Sequence, residues 1–145
     1  MTVITPVFNG ERFMESCLQS VIDQQCSPDV EHLIMDGGST DGTMEIVKCY
    51  AERNTHIRWY CEKDHGQSDA MNKGISAARG KIVGFLNSDD FYEPDIFTRI
   101  LQIFKTLPPP SLVVGNCRIL NDEGETTHIN KPRRLSVRHI LIGGP

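Results

Sequence analysis

The stretch IVGFLNSDD, residues 82–90, places two adjacent carboxylates, Asp89 and Asp90, directly after the apolar run Ile82 to Leu86. A short apolar run bounded by polar residues reads as a buried strand. The same arrangement occurs three more times upstream. Val3-Ile4-Thr5 is followed by Pro6-Val7-Phe8-Asn9-Gly10, and His32-Leu33-Ile34-Met35 by Asp36-Gly37-Gly38-Ser39-Thr40-Asp41-Gly42. Ile57 to Cys61 is followed by Glu62-Lys63-Asp64-His65-Gly66-Gln67.

Between these runs the apolar residues recur at the helical period. Phe13, Met14, Cys17, Leu18, Val21 and Ile22 form the first such face, and Ile46, Val47, Tyr50 and Ala51 the second. Ala70, Met71, Gly74, Ile75 and Ala78 form the third, with Ser68 expected as its N-cap and Gly80 as its stop. Ile96, Phe97, Ile100, Leu101 and Phe104 form the fourth, with Pro94 suited to a first helical position and Pro108-Pro109-Pro110 ending the helix. Beyond it, Leu112 to Ile119 and Thr126 to Lys131 flank the turn Asn121-Asp122-Glu123-Gly124, a hairpin pattern. Four strand–helix alternations predict an α/β fold, a mostly parallel sheet with helices on both faces. In such open sheets ligands bind beyond the carboxyl ends of the strands, so all four polar loops are expected on one rim.

The whole chain restricts the function classes. At 145 residues it is about one domain. The net charge of −4 gives no footprint for nucleic-acid binding. No run approaches the roughly 18 apolar residues of a membrane span, and the N-terminus MTVITPVFNG lacks the basic and apolar regions of a signal peptide. The five cysteines, Cys17, Cys26, Cys49, Cys61 and Cys117, are odd in number and contain no CxxC, which reads as reduced thiols in a cytoplasmic protein. The histidines form no metal-ligand pair such as HExxH.

Asp89 and Asp90 are the strongest chemical feature of the rim. Two carboxylates about 5 Å apart repel by about 3 kcal/mol at an effective dielectric near 20. A divalent cation, Mg²⁺ or Mn²⁺, relieves that repulsion and is usually held by one or two carboxylates together with substrate phosphates. Acidic residues ahead of a helix also favour its positive end, and on the pair alone this capping role is the commoner outcome. GGSTDGT is neither GxxxxGK[ST] nor GxGxxG, so a phosphate cradle competes with a turn in which Ser39, Thr40 or Asp41 caps the next helix. Asp36, following Leu33-Ile34-Met35, can accept hydrogen bonds from the N–H groups of a ligand such as a pyrimidine or guanine edge. In SDAMNKG, Asp69 stands between capping and ligand contact, and Lys73 reads as a solvent-facing helix residue. The basic cluster Lys131, Arg133, Arg134, Arg138 and His139 is most often a solvated face, with phosphates or an anionic membrane surface as the alternative.

Four stretches in this order, VITPVFNGERFMESCLQSVIDQ, EHLIMDGGSTDGT, HGQSDAMNKGISAARG and IVGFLNSDDFYEP, resemble the N-terminal, nucleotide-sugar-binding half of a family 2 glycosyltransferase with the GT-A fold. The likeness runs from Thr2 to Pro94 and is closest to bacterial enzymes of surface-polysaccharide synthesis. It implies a single GT-A domain over 1–145, with a nucleotide-sugar-binding part at 1–107 and the start of an acceptor part at 108–145. Thr5, Pro6 and Phe8 would line the nucleotide pocket, and Asp36 would bind the base, typically uracil. Asp69 and Asn72 would lie near the donor. Asp89 and Asp90 would hold Mn²⁺ or Mg²⁺ against the donor's diphosphate, Asp90 foremost. The implied reaction is inverting transfer from a UDP-sugar to a polysaccharide or lipid-linked acceptor, in the cytoplasm and at the inner face of the membrane if acceptors are lipid-linked. Where many members carry a second acid after Asp36, this chain has Gly37. The family's catalytic base lies in the acceptor half and is expected beyond Pro145, so the chain reads as a partial domain. A nucleotide-binding half-domain without activity of its own, and a metal-dependent nucleotidyltransferase, are the alternatives.

Overall fold

The computed structural model describes residues 1–24 and 30–132. It divides into two compact units, Met1–Lys105 and Thr106–Pro145. The first contains a four-stranded, wholly parallel sheet built from β1 (Thr2–Val7), β2 (Glu31–Asp36), β3 (Ile57–Cys61) and β4 (Val83–Phe85), in the order β3-β2-β1-β4. Helices α1 (Glu11–Ile22), α2 (Thr43–Arg53) and α3 (Gln67–Ala77) alternate with the strands, and α4 (Ile96–Thr106) follows them. The α/β expectation is met element by element.

Period-two alternation along the strands sorts the core onto the two faces of the sheet. Val3, Val7 and Ile34 pack with Met14, Cys17 and Leu18 of α1, Val47 of α2 and Phe97 of α4. Ile4, Leu33 and Met35 pack on the opposite face with Ala70 of α3. The third helix lies close to the sheet because its inward positions are small: a Cβ at Gly74 would come within 2.5 Å of Ile4 Cγ2. Register places Val7 beside Asp36 and Asp36 beside Cys61, so β1, β2 and β3 end level and release their loops on one rim.

Several local expectations are corrected. The run Ile82–Leu86 shortens to three paired residues, with Val83 37% and Phe85 45% exposed, because β4 is bonded to β1 along one edge and to no other described strand. Helix α3 is capped by Gly66, at φ +103°, rather than by Ser68. At its other end Ala78 already turns extended, and Gly80 serves instead to let the backbone of Met1 and Thr2 pass. Pro94 and Asp95 form a turn, and α4 begins at Ile96, where Gln24 Oε1 accepts the Phe97 N–H at 3.2 Å.

The second unit holds β5 (Cys117–Leu120) and β6 (Thr126–Asn130), an antiparallel hairpin whose turn closes from Gly124 N–H to Asn121 O at 3.0 Å. The first of these strands starts at Cys117 rather than Leu112. Cys26 and the basic residues Arg133, Arg134, Arg138 and His139 lie outside the described residues. No described helix is long and apolar enough to cross a membrane.

Candidate functional site

At the carboxyl ends of the strands the first unit opens a cleft of about 720 Å³. The end of β1 contributes Pro6 and Val7, the loop after it Phe8 to Gly10, and α1 contributes Phe13. Gly37 and Asp64 come from the loops after β2 and β3, Gln67 and Ala70 from the start of α3, and Asn87 to Asp89 from the loop after β4. Phe8 is 64% exposed and Phe13 39%, so neither ring is spent on the core. The Phe13 ring carries the Arg12 guanidinium 4.9 Å from its centroid, whereas among the described residues no such partner covers Phe8, and an open aromatic face beside carboxylates suits a planar, polar-edged ligand.

The first two rim loops are stitched together by their own hydrogen bonds. Asn9, at φ +53°, donates its N–H to Ser39 Oγ at 2.8 Å and accepts the Thr40 N–H on Oδ1 at 2.8 Å. Gly10 N–H reaches Thr43 Oγ1 at 2.9 Å, Glu11 N–H reaches Asp41 Oδ2 at 3.2 Å, and Gly42 N–H reaches Glu11 Oε2 at 3.1 Å. Asp41 also takes the Thr43 N–H at 3.1 Å, at the start of α2. The loop GGSTDG is therefore a turn and capping structure whose donors are used internally.

Asp36 is 2% exposed and surrounded by donors from its own neighbourhood. It receives the N–H groups of Gly38 at 3.1 Å and Ser39 at 3.1 Å, the Ser39 hydroxyl at 2.5 Å and the Cys61 thiol at 2.9 Å. These four donors meet the roughly four lone-pair sites a carboxylate offers. The thiol's titration moves upward as a result, chiefly through that hydrogen bond to Asp36 and then through burial. Beside it, Asp64 faces the cleft. Its Oδ1 takes the Gly66 N–H at 2.8 Å, while Oδ2 lies 2.7 Å from where a Cβ of residue 37 would stand. The absence of a side chain at Gly37 thus leaves room for a carboxylate delivered from another loop. Residue-level reading passed over Asp64, although its place at the end of the third apolar run was the available signal.

The remaining expected residues are placed as follows. Pro6, Phe8 and Asp89 line the cleft. Thr5 is fully buried, its hydroxyl 2.9 Å from His32 Nε2, so its side chain belongs to the core beneath the cleft. Burial, reinforced by His56, holds the His32 imidazole neutral and pushes its pKa down to about 3. Asp69 takes the His65 N–H at 3.1 Å and lies 3.4 Å from Lys73 Nζ. Lys73 stays at the solvent-facing surface as expected, and there its ammonium also meets Glu62 at 3.0 Å and the Lys63 carbonyl at 3.1 Å, tying the β3–α3 loop to the helix. Asn72 is exposed on the same helix, outside the cleft lining.

Asp89 and Asp90 are both exposed, in a turn closed by Asp90 N–H to Asn87 O at 3.1 Å. Among the described residues no group of three or more His, Cys, Asp or Glu side chains is placed to enclose a metal. Two oxygen-donor side chains at an open rim fit the partial protein shell of Mg²⁺ or Mn²⁺, which leaves coordination positions for ligand phosphates, and do not fit a closed all-protein site.

The profile of "Glycosyl transferase family 2" matches residues 2–142. Among curated relatives, "Uncharacterized glycosyltransferase YibD" of Escherichia coli (strain K12) is 36% identical over 146 residues, covering 99% of this chain and 41% of that protein. Among solved structures, S. aureus TarS in complex with UDP-GlcNAc superposes with a TM-score of 0.63 at 27% identity, covering 71% of this chain and 30% of that one. The mannosyltransferase PcManGT from Pyrobaculum calidifontis, in complex with GDP-Man and Mn²⁺, gives 0.66 at 26% identity, covering 83% and 35%. This chain therefore spans about two-fifths or less of these relatives. The fold is the GT-A α/β fold, and the chain belongs to glycosyl transferase family 2.

Proposed function

We propose that this chain supplies the donor-binding part of a glycosyltransferase that moves a sugar from a nucleoside diphosphate donor, of the UDP class, to a saccharide or lipid-linked acceptor with inversion. The observation that carries the reading is the convergence, in one cleft at the carboxyl ends of parallel strands, of exposed Phe8 and Phe13, the Asp64 carboxylate and Asp89. TarS with UDP-GlcNAc and PcManGT with GDP-Man and Mn²⁺ support it as relatives of the same fold.

In this reading the aromatic rings hold the flat base. A carboxylate accepts the N–H edge that uracil and guanine present and that adenine and cytosine lack at the equivalent atom. With Asp36 occupied by its own loop, Asp64 is the carboxylate that meets the base. Asp89 and Asp90 would hold a divalent cation, which when bound supplies positive charge against the departing diphosphate. The acceptor hydroxyl loses its proton to a carboxylate base outside the first unit. Asp122, Glu123 and Glu125 sit in or beside the exposed hairpin turn of the second unit and are assigned no such role. Transfer would take place in the cytoplasm, at a membrane surface where the acceptor is lipid-linked.

Calorimetric titration of UDP with and without Mn²⁺, on the wild type and on Asp90→Asn, tests the proposal. Mn²⁺-enhanced binding that is lost in the variant is the expected result. Silence towards UDP, GDP and dTDP in a folded chain would overturn it.

A further inference from the structure

One node of the cleft, Asn87, is not accounted for by donor contact or by direct metal ligation. Its side-chain amide donates from Nδ2 to Asp90 Oδ2 at 2.9 Å. On its other side, Oδ1 accepts from Gln67 Nε2 at 2.6 Å. The polarity of this chain has one solution. A carboxylate accepts and does not donate, so the NH₂ end of Asn87 must face Asp90, its oxygen must face Gln67, and Gln67 must present its NH₂. The Asn87 backbone is held as well: its carbonyl accepts the Asp90 N–H at 3.1 Å and lies 3.7 Å from the buried Cys17 sulfur. Among the described residues Asp90 Oδ1 accepts no hydrogen bond, so one oxygen of this carboxylate is fixed and the other is left available.

We infer that Gln67 and Asn87 are positioning residues for the cation site, a two-amide strut that runs from the first turn of α3 to Asp90 and sets the carboxylate before the metal arrives. The inference rests on the proposed function, since it presumes that Asp90 is a metal ligand. Outer-shell partners that orient a ligating carboxylate change metal affinity by roughly ten- to a hundredfold when removed. Gln67 offers the sharper probe because it is exposed and its replacement leaves the core untouched. Gln67→Glu places a carboxylate opposite Asn87 Oδ1. The Asn87 amide must then flip to donate to the introduced carboxylate, which turns its oxygen towards Asp90 and breaks the strut. Added negative charge near a cation strengthens binding if charge alone matters. The strut predicts the opposite sign.

The experiment is Mn²⁺ binding followed by the loss of the free-ion electron paramagnetic resonance signal, in the presence of saturating UDP. Metal-free UDP affinity is measured in parallel. Asn87→Ala and Gln67→Glu are each expected to weaken Mn²⁺ by about tenfold or more; because both residues line the cleft, the reading is the loss of Mn²⁺ affinity relative to that of metal-free UDP, and it is expected to be the larger of the two. Unchanged or tighter Mn²⁺ binding in Gln67→Glu would overturn the inference, as would equal losses of metal and metal-free UDP affinity, which would make these residues nucleotide contacts. If the wild type binds UDP but takes up no Mn²⁺, the inference falls while the nucleotide site stands; silence towards UDP, GDP and dTDP removes the functional reading and the inference with it. A wild type that binds, with variants that match it, removes the inference alone.

Discussion

Asp36 shows how a residue's type can be legible while its partners are not. Its place after an apolar run marked it as a carboxylate at a strand mouth, and it is one. Four donors from its own loop and from Cys61 occupy it, so its first role is to hold the turn. Asp36→Asn replaces an acceptor by an NH₂ group facing N–H and S–H donors. Leaving such buried donors unmatched costs about 1–3 kcal/mol, and urea unfolding should show a loss of that size. His32 carries a second residue-scale expectation. Its folded pKa of about 3 lies below the ordinary value near 6.5, so between these limits the unfolded chain binds the extra proton. Stability is therefore full above pH 6.5 and declines as pH falls towards 3, by at most about 1.4 kcal/mol per pH unit for one proton. Unfolding midpoints at about pH 7.5 and about pH 5 should differ accordingly, and His32→Gln should flatten the dependence. His56, lowered in the same direction by burial, contributes a dependence of the same sign.

At the scale of elements, strands and helices were legible because each reports its own burial pattern. The period-3.6 face of α1 predicted Phe13, Met14, Cys17, Leu18, Val21 and Ile22 inside; Met14, Cys17, Leu18 and Val21 are buried and Ile22 is partly so, while Phe13, 39% exposed, lines the cleft instead. Helix ends were less legible. Ser68 and Pro94 carry the usual end preferences, but the chain direction entering each helix is set by distant packing, and Gly66 and the Pro94–Asp95 turn decide where α3 and α4 begin. Gly74 offers a test in which propensity and packing oppose each other. Alanine gains about 1 kcal/mol of helix propensity over glycine. Here its methyl would enter the space of Ile4 Cγ2, 2.5 Å away, in a fully buried contact. Overpacking of this kind costs about 1–3 kcal/mol, so Gly74→Ala should be net destabilising in a thermal or urea melt, against the usual trend for exposed helices.

For the whole molecule, the two units differ in how their hydrogen bonds are protected. β1 is buried at every position and bonded on both sides. The strands of the β5–β6 hairpin are exposed at every residue but Leu120, and a lone two-stranded hairpin is marginally stable in water. In native-state hydrogen exchange the amides of β1 and β2 should open only with global unfolding, at about 5–15 kcal/mol, and those of β5 and β6 near the bottom of that scale. Hairpin amides as slow as those of β1 would refute this view of the second unit.

The order and type of the elements, the parallel sheet, the rim of polar loops and the family were all determined by the sequence alone, because periodicity and contiguous motifs are local properties of the chain. The tertiary structure decided the division of labour among the acids and amides of that rim. Asp36 is enclosed while Asp64 enters the space beside Gly37, Lys73 is tied to Glu62 and Asp69, and Asn87 stands between Gln67 and Asp90. The physical reason is that a polar side chain's role is set by which donors and acceptors saturate it. Those partners come from loops far apart in sequence, which meet only when the strands align.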